Sequence, residues 1–241
     1  MELFTYASYD HYRRIQTETN AQKIANVWAN KDDIRLLADY LKTHLRFLKF
    51  GICHGTRRGA EQAWFREFLD IDVVGTEISS TANQFKHTIQ WDFHEAKPEW
   101  LCAVDFIYSN SLDHSYKPRE CLATWLACLR PSGACIIEWT KMHVAAGPTE
   151  PFGASFEEHR ALVPDGYAIR DTVSSISTVC GEHRKHLIIT QAGCAFNLPP
   201  AQSAPSVPEA LALGAAPAAP PSPFPSEPAQ CGPPPGKTLL P

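Results

Sequence analysis

The sequence predicts an α/β fold built on a seven-stranded, mostly parallel sheet with helices on both faces, N-terminal helices before it and a disordered tail after it. Three observations lead there. A mostly apolar run at residues 45–50 passes through Gly51-Ile52-Cys53-His54-Gly55-Thr56-Arg57-Arg58-Gly59 into residues 60–69, whose apolar positions have helical spacing. That is a strand, a glycine turn and a helix. From there to Gln191, strand-like and helix-like stretches alternate, as parallel strands joined by crossover helices require. After Asn197 the composition changes: fourteen of the twenty prolines fall there among Ala and Ser, with only Glu209, Glu227 and Lys237 charged. Such a segment cannot bury a core.

Residues 8–45 read as two helices. Ile24, Val27 and Trp28 recur at helical spacing, as do Ile34, Leu37, Leu41 and Leu45. The cluster Asn30-Lys31-Asp32-Asp33 separates them, with Asn30 or Asp32 as an N-cap. Either these helices simply pack on a sheet face, or Tyr9, Tyr12, Gln16 or Lys23 hang over a bound ligand as a lid. Residues 71–77 form the second strand and end on Glu77, about twenty residues past the glycine turn. That spacing lets a βαβ unit bring a carboxylate onto ribose hydroxyls; a surface glutamate at a strand end is the plainer alternative.

Residues 87–91 suit a short third strand, followed by Asp92-Phe93, and residues 104–109 a fourth. The loop Asn110-Ser111-Leu112-Asp113-His114 leads to Pro118, which suits the first turn of a helix over residues 119–130. Cys121, Leu122, Trp125, Leu126 and Leu129 line one face of that helix, and Pro131-Ser132-Gly133 stops it. Residues 134–139 are a buried fifth strand. A helix over 156–162 and strands over 166–173 and 184–190 complete the pattern, the last two linked by a Ser-rich stretch and Cys180-Gly181-Glu182. The organisation expected is an N-terminal helical cap (1–44), the α/β domain (45–196) and a Pro/Ala-rich tail (197–241).

The 241 residues carry a formal net charge of −4, so no basic footprint announces a nucleic-acid partner. No apolar run is long enough to span a bilayer, and the N-terminus lacks the pattern of a signal peptide. The eight cysteines are scattered, several within apolar runs, which suits free thiols in a reducing, cytoplasmic setting. Cys180, His183 and His186 make only half a zinc pattern, and strand alternation separates them, so no metal is expected.

Taken together, residues 45–191 resemble the class I S-adenosylmethionine-dependent methyltransferases, whose fold is Rossmann-like. The most specific segment runs from Asp105-Phe-Ile-Tyr-Ser-Asn-Ser-Leu-Asp-His to Leu-Arg-Pro-Ser-Gly133. It is similar to that family's strand, acidic-His loop, helix and L-(K/R)-P-G-G turn. The resemblance implies S-adenosyl-L-methionine as cofactor and a small-molecule methyl acceptor. Gly51 and Gly55 fall on the first and last glycines of the family's D-x-G-x-G-x-G turn, with Cys53 and His54 between them and Cys53 replacing the middle glycine. Glu77 would accept both ribose hydroxyls, and Asp92 the adenine amino group, with Phe93 and Ile78 beside the ring. Ser109, Asn110 and Ser111 would border the methionine end. His114 would face the acceptor and could take a proton from it, with His143 a second candidate. Lys49 stands where the family has an acid, and Arg57 and Arg58 are candidates to attract the methionine carboxylate.

Two other readings remain. A methyltransferase-like binding or scaffold protein without turnover would explain Lys49, Cys53 and the proline-rich tail. A nicotinamide-dependent oxidoreductase would use the same turn and Glu77, but Gly51, Gly55 and Gly59 are spaced by fours and miss G-x-G-x-x-G.

Overall fold

The computed structural model describes residues 1–193; the tail expected over residues 197–241 lies outside them. In chain order the elements are β1 (Glu2–Leu3), α1 (Tyr9–Gln22), α2 (Lys31–His44), β2 (Phe50–His54), α3 (Ala60–Leu69), β3 (Asp72–Glu77), β4 (Thr88–Gln90), β5 (Val104–Ser109), α4 (Pro118–Cys128), β6 (Leu129–Trp139), β7 (Phe152–Gly153), α5 (Phe156–Arg160), β8 (Tyr167–Val179) and β9 (Glu182–Gln191). Seven strands form one sheet in the order β4-β3-β2-β5-β6-β9-β8. The first five of these pair in parallel; β9 runs antiparallel to β6 and β8 antiparallel to β9. β1 and β7 pair separately as a short antiparallel ribbon.

Strand alternation sorts the core onto two faces. Ile52, Ile107, Ile137, Leu187 and Ile189 meet Leu122, Trp125 and Leu126 of α4. Their neighbours Cys53, Phe106, Tyr108, Ile136 and Ile188 meet α2 and α3 on the other side. Asn30 caps α2, its Oδ1 accepting from Asp32 N at 2.8 Å. Below that cap Ile34, Leu37, Ala38 and Leu41 are fully buried at the spacing of a core-facing stripe. With both faces covered, the central strands read as continuous apolar runs. No helix among the described residues is long and apolar enough to cross a membrane.

Tertiary contacts override local pattern in three places. α1 ends at Gln22, so Ile24, Val27 and Trp28 lie in the irregular segment before α2 rather than on a helix. Trp28 is drawn out of helical register by its Nε1–H, which donates to the buried Glu138 Oε1 at 2.7 Å. α4 stops at Cys128 because Leu129 already pairs with Val104 as β6 begins. The Ser-rich stretch is part of β8, and the Asp33 carboxylate accepts from Ile176 N and Ser177 N at 2.7 and 3.0 Å.

The lower end of the sheet is fastened by Asp105, a buried residue near the start of β5. It accepts from Lys49 N and from Phe50 N (2.9 Å) and pairs with Arg130 Nη1 at 2.7 Å. One carboxylate thus joins the starts of β2, β5 and β6. Asp105→Ala leaves two strand N–H groups without their acceptor and removes the ion pair of the half-buried Arg130. It is expected to lower unfolding stability by about 3 kcal/mol, read as a drop in urea midpoint at constant m-value.

Candidate functional site

β2 lies where the chain reverses direction across the sheet, with β3 on one side and β5 on the other. Ligands in such sheets bind beyond the carboxyl ends of the strands at that crossing. There Gly55 takes φ +72°, and a Cβ at this position would meet Ser111 Cβ at 2.6 Å. Only glycine fits on both counts. Thr76 O on β3 accepts from both Gly55 N (3.0 Å) and Thr56 N (3.1 Å), tying the turn to the neighbouring strand. The next residue of that strand is Glu77. Its Oε2 accepts from Arg57 N at 3.2 Å and its Oε1 from Ser79 N at 3.0 Å. The carboxylate therefore faces the turn. Burial raises its pKa, an effect partly offset by the hydrogen bonds from the Ser79 and Arg57 N–H groups.

Gly55 and Glu77 border one cleft. Ile78, Asp92, Phe93, Ser111 and His114 complete its sequence-expected lining. Burial alone would raise the Asp92 carboxyl, but hydrogen bonds from His94 and Tyr9 outweigh it and its pKa lies below the usual value. His94 N and Nδ1 hold Oδ1 at 2.9 and 2.7 Å, and the Tyr9 hydroxyl donates to Oδ2 at 2.7 Å. His114 Nδ1 lies 3.1 Å from Gln16 Oε1 and 2.9 Å from Thr149 O. Both partners are acceptors, so Nδ1 carries the hydrogen and Nε2 is the ring's free acceptor.

The fourth wall comes from α1. Its buried residues Tyr12, Gln16 and Asn20 repeat every four positions and, with Thr19, line the cleft. Tyr12 OH donates to His114 O (3.2 Å), Gln16 Nε2 to Thr149 O (3.1 Å), and Thr81 Oγ1 to Asn20 Oδ1 (3.0 Å). Lys23 does not reach the cleft and pairs instead with Glu150. Arg57 and Arg58 donate to Asn26 O and Ala25 O at 3.3 and 3.0 Å, holding the segment after α1 against the turn. Thr19 and Asn20 were not anticipated. The available signal was a helix whose four-spaced face carries amides and hydroxyls where a packing helix would carry Leu or Ile.

Seven of the residues singled out from the sequence lie elsewhere. Gly51 sits inside β2, opposite Val73, and a Cβ there would strike the Phe106 ring at 2.2 Å; its missing side chain makes room for Phe106, not for a ligand. Cys53 is fully buried on the α2/α3 face. His54 is buried, shares a 2.8 Å hydrogen bond with Thr76 Oγ1 and stacks on Trp125 at 4.8 Å. Burial lowers its pKa to about 3, so the ring is neutral. Ser109 donates to His54 O (3.1 Å) and Asn110 Nδ2 to Glu61 Oε1 (3.3 Å), both behind the cleft wall. Lys49 and Arg58 line a separate open groove with Arg66, Asp70 and Lys86.

Glu61, in the first turn of α3, is buried, and burial pushes its pKa up to about 7. From pH 4.5 to 7 the unfolded chain releases this proton while the folded chain keeps it, so the group lowers stability as pH rises through that window. Glu61→Gln is therefore expected to be the more stable protein at pH 8. Its advantage over the parent should grow by up to about 3 kcal/mol between pH 4.5 and 8 in urea titrations.

No protein-family model and no curated protein matches the sequence. Solved structures do. The Burkholderia thailandensis 1,6-didemethyltoxoflavin-N1-methyltransferase, with its acceptor and S-adenosylhomocysteine bound, superposes with a TM-score of 0.62 at 16% identity, over 78% of this chain and 92% of that one. Geranyl diphosphate C-methyltransferase from Streptomyces coelicolor A3(2), in complex with Mg2+, geranyl diphosphate and S-adenosyl-L-homocysteine, gives 0.53 at 12% identity over 78% and 99%. The N-methyltransferase NodS from Bradyrhizobium japonicum WM9, in complex with S-adenosyl-L-homocysteine, gives 0.52 at 13% identity over 73% and 98%. Strand order, the glycine turn at the sheet crossing and these three likenesses agree: the chain has the class I S-adenosylmethionine-dependent methyltransferase fold.

Proposed function

We propose that this chain transfers a methyl group from S-adenosylmethionine to a small-molecule acceptor. The observation that carries this reading is the Glu77 carboxylate, tied to the Gly55 turn by the Arg57 N–H and oriented by the Ser79 N–H. Each of its oxygens accepts one N–H and keeps lone pairs for hydroxyl donors, which suits the two ribose hydroxyls of an adenosyl group. Asp92 takes the adenine amino group, with Phe93 and Ile78 beside the ring. Gly55 and Ser111 border the methionine end. Bound there, the cofactor supplies an electrophilic methyl on a sulfonium.

The chain's own task is to hold a nucleophile in line and keep water away. α1 closes the cleft, and His114 stands at its edge with Nε2 able to take a proton from a hydroxyl or ammonium acceptor. Mild net acidity, and the small organic molecules bound in two of the similar structures, support a metabolite rather than a nucleic acid. A nicotinamide reading fits less well, since Gly51 makes room for Phe106 and Gly59 faces Gln62, so neither cradles a dinucleotide.

S-adenosylhomocysteine at a hundred times its Kd is expected to stabilise the protein by about 2.7 kcal/mol, seen as a rise in melting temperature. No shift at millimolar ligand would count decisively against the proposal. Glu77→Ala should weaken the same ligand by about 1.5–3 kcal/mol in calorimetric titration, through loss of charge-assisted hydrogen bonds to ribose. Tyr9→Phe frees Asp92 Oδ2 from a competing donor and should tighten adenosine-containing ligands by about 1 kcal/mol. Transfer of label from S-[methyl-14C]adenosylmethionine to an acceptor in a metabolite extract separates a working enzyme from a binding protein without turnover.

A further inference from the structure

A helix leaves its last carbonyls without partners inside itself. At the end of α4 other parts of the chain supply them. Leu126 O accepts from the Tyr167 hydroxyl at 3.0 Å, Ala127 O from Cys102 N at 3.1 Å, and Cys128 O from Ala103 N at 3.0 Å. Successive N–H groups of an extended chain point to opposite sides. The left-handed φ of +54° at Cys102 turns its own N–H and that of Ala103 toward the same helix end.

This cap sets two thiols side by side. The N–H groups on either side of the Cys102 α-carbon bond the carbonyls on either side of the Cys128 α-carbon. The two α-carbons are therefore about 6 Å apart, inside the range that a disulfide spans. Cys102 Sγ lies 3.9 Å from Ala127 O at the helix end, and Cys128 Sγ lies 3.4 Å from Thr124 O in the last turn. Burial pushes the Cys128 thiol up to about 11, and the neighbouring Cys102 sulfur adds to the effect. The two differ in access: Cys102 is exposed and Cys128 is buried. Cys135 is fully buried on β6, with Cys128 among its electrostatic neighbours, and is the competing partner for Cys128.

We infer that Cys102 and Cys128 are an oxidant-responsive pair that closes as a disulfide when the protein meets a small disulfide such as oxidised glutathione. Cys102, the exposed thiol, attacks first as its thiolate. A Cys102–glutathione bond forms, the glutathione disulfide breaks, and one glutathione leaves. Cys128 then loses its proton and attacks the Cys102 sulfur, forming the Cys102–Cys128 bond and releasing the second glutathione. Two protein thiols are oxidised, one glutathione disulfide is reduced to two thiols, and two protons pass from the protein to the glutathione sulfurs. The bond closes a ring that contains all of β5, the loop from Asn110 to His114 and α4. It lies at the sheet end where Val104 pairs with Leu129, away from the Gly55 turn, so it fastens the fold without entering the cleft. Nothing in this pairing depends on what the cleft binds.

The test is incubation of the full chain with oxidised glutathione, acid quenching, peptide mapping without reduction, and thermal melting. The parent protein is expected to yield a peptide pair linking Cys102 to Cys128. Its melting temperature should rise by about 5–10 °C, and dithiothreitol should reverse the rise. The Cys102–glutathione adduct should decay into the ring about tenfold faster per pH unit between pH 7 and 9, because Cys128 reacts as its thiolate. Cys102→Ser, at an exposed position, should melt as the reduced parent does and show neither link nor rise, and Cys128→Ala should trap the adduct on Cys102. An unreactive Cys102, a stable Cys102–glutathione adduct in the parent, or a Cys128–Cys135 link overturns the inference. So does a Cys102–Cys128 link without a rise in melting temperature, since that bond would have formed from an opened helix end. A rise that persists in Cys102→Ser overturns it as well.

Discussion

One carbonyl organises this molecule. Thr76 O accepts from Gly55 N and Thr56 N, so the chain leaving β2 is pinned to the end of β3 one residue before Glu77. Because Gly55 is left-handed and lies against Ser111, the turn closes the gap between β2 and β5 while it reaches toward β3. The Arg57 N–H that follows then finds Glu77 without further adjustment. Position and orientation of the carboxylate are consequences of backbone bonding, with no side-chain entropy left to lose on binding.

Charge is distributed in the same sense. Away from the cleft, buried ionic groups are neutralised within the protein: Glu138 is held below the usual carboxylate range despite burial by His186, Arg184 and the Trp28 N–H, and Arg184 also reaches Asp33. Around the turn that joins β2 to α3 the opposite holds, and burial raises both Glu61 and Glu77. The fold tolerates two costly groups at one end of the sheet because the fastening at Asp105 and the apolar layers on both faces supply stability elsewhere. That separation of stabilising and strained regions is common where a site must be ready before its ligand arrives.

α1 shows how a helix can belong to a site rather than to a core. Its inward face bears a phenol and two amides, each tied to a different part of the body. Such a face makes directional contacts in place of apolar burial, which suits a wall that must admit and enclose a polar ligand.

Several features were legible in the sequence because they depend on local chemistry. The strand–turn–helix over residues 45–69, the alternation of elements, the Asn30 cap and the Glu77 spacing all follow from periodicity, glycine and capping preferences acting within a few residues. The same information could not say which glycine served the turn and which served packing, since Gly51 and Gly55 look alike until Phe106 and Ser111 are brought against them from residues far along the chain. Nor could it remove His54 and Cys53 from the site, for adjacent strand residues point to opposite faces and only the sheet order shows what covers each face. Trp28 left its helical register, and Glu61 and Asn110 met, for the same reason. Short-range preferences determined the elements of this protein, but contacts between residues distant in sequence decided which side chains share the cleft, because burial and charge pairing exist only once the layers have closed.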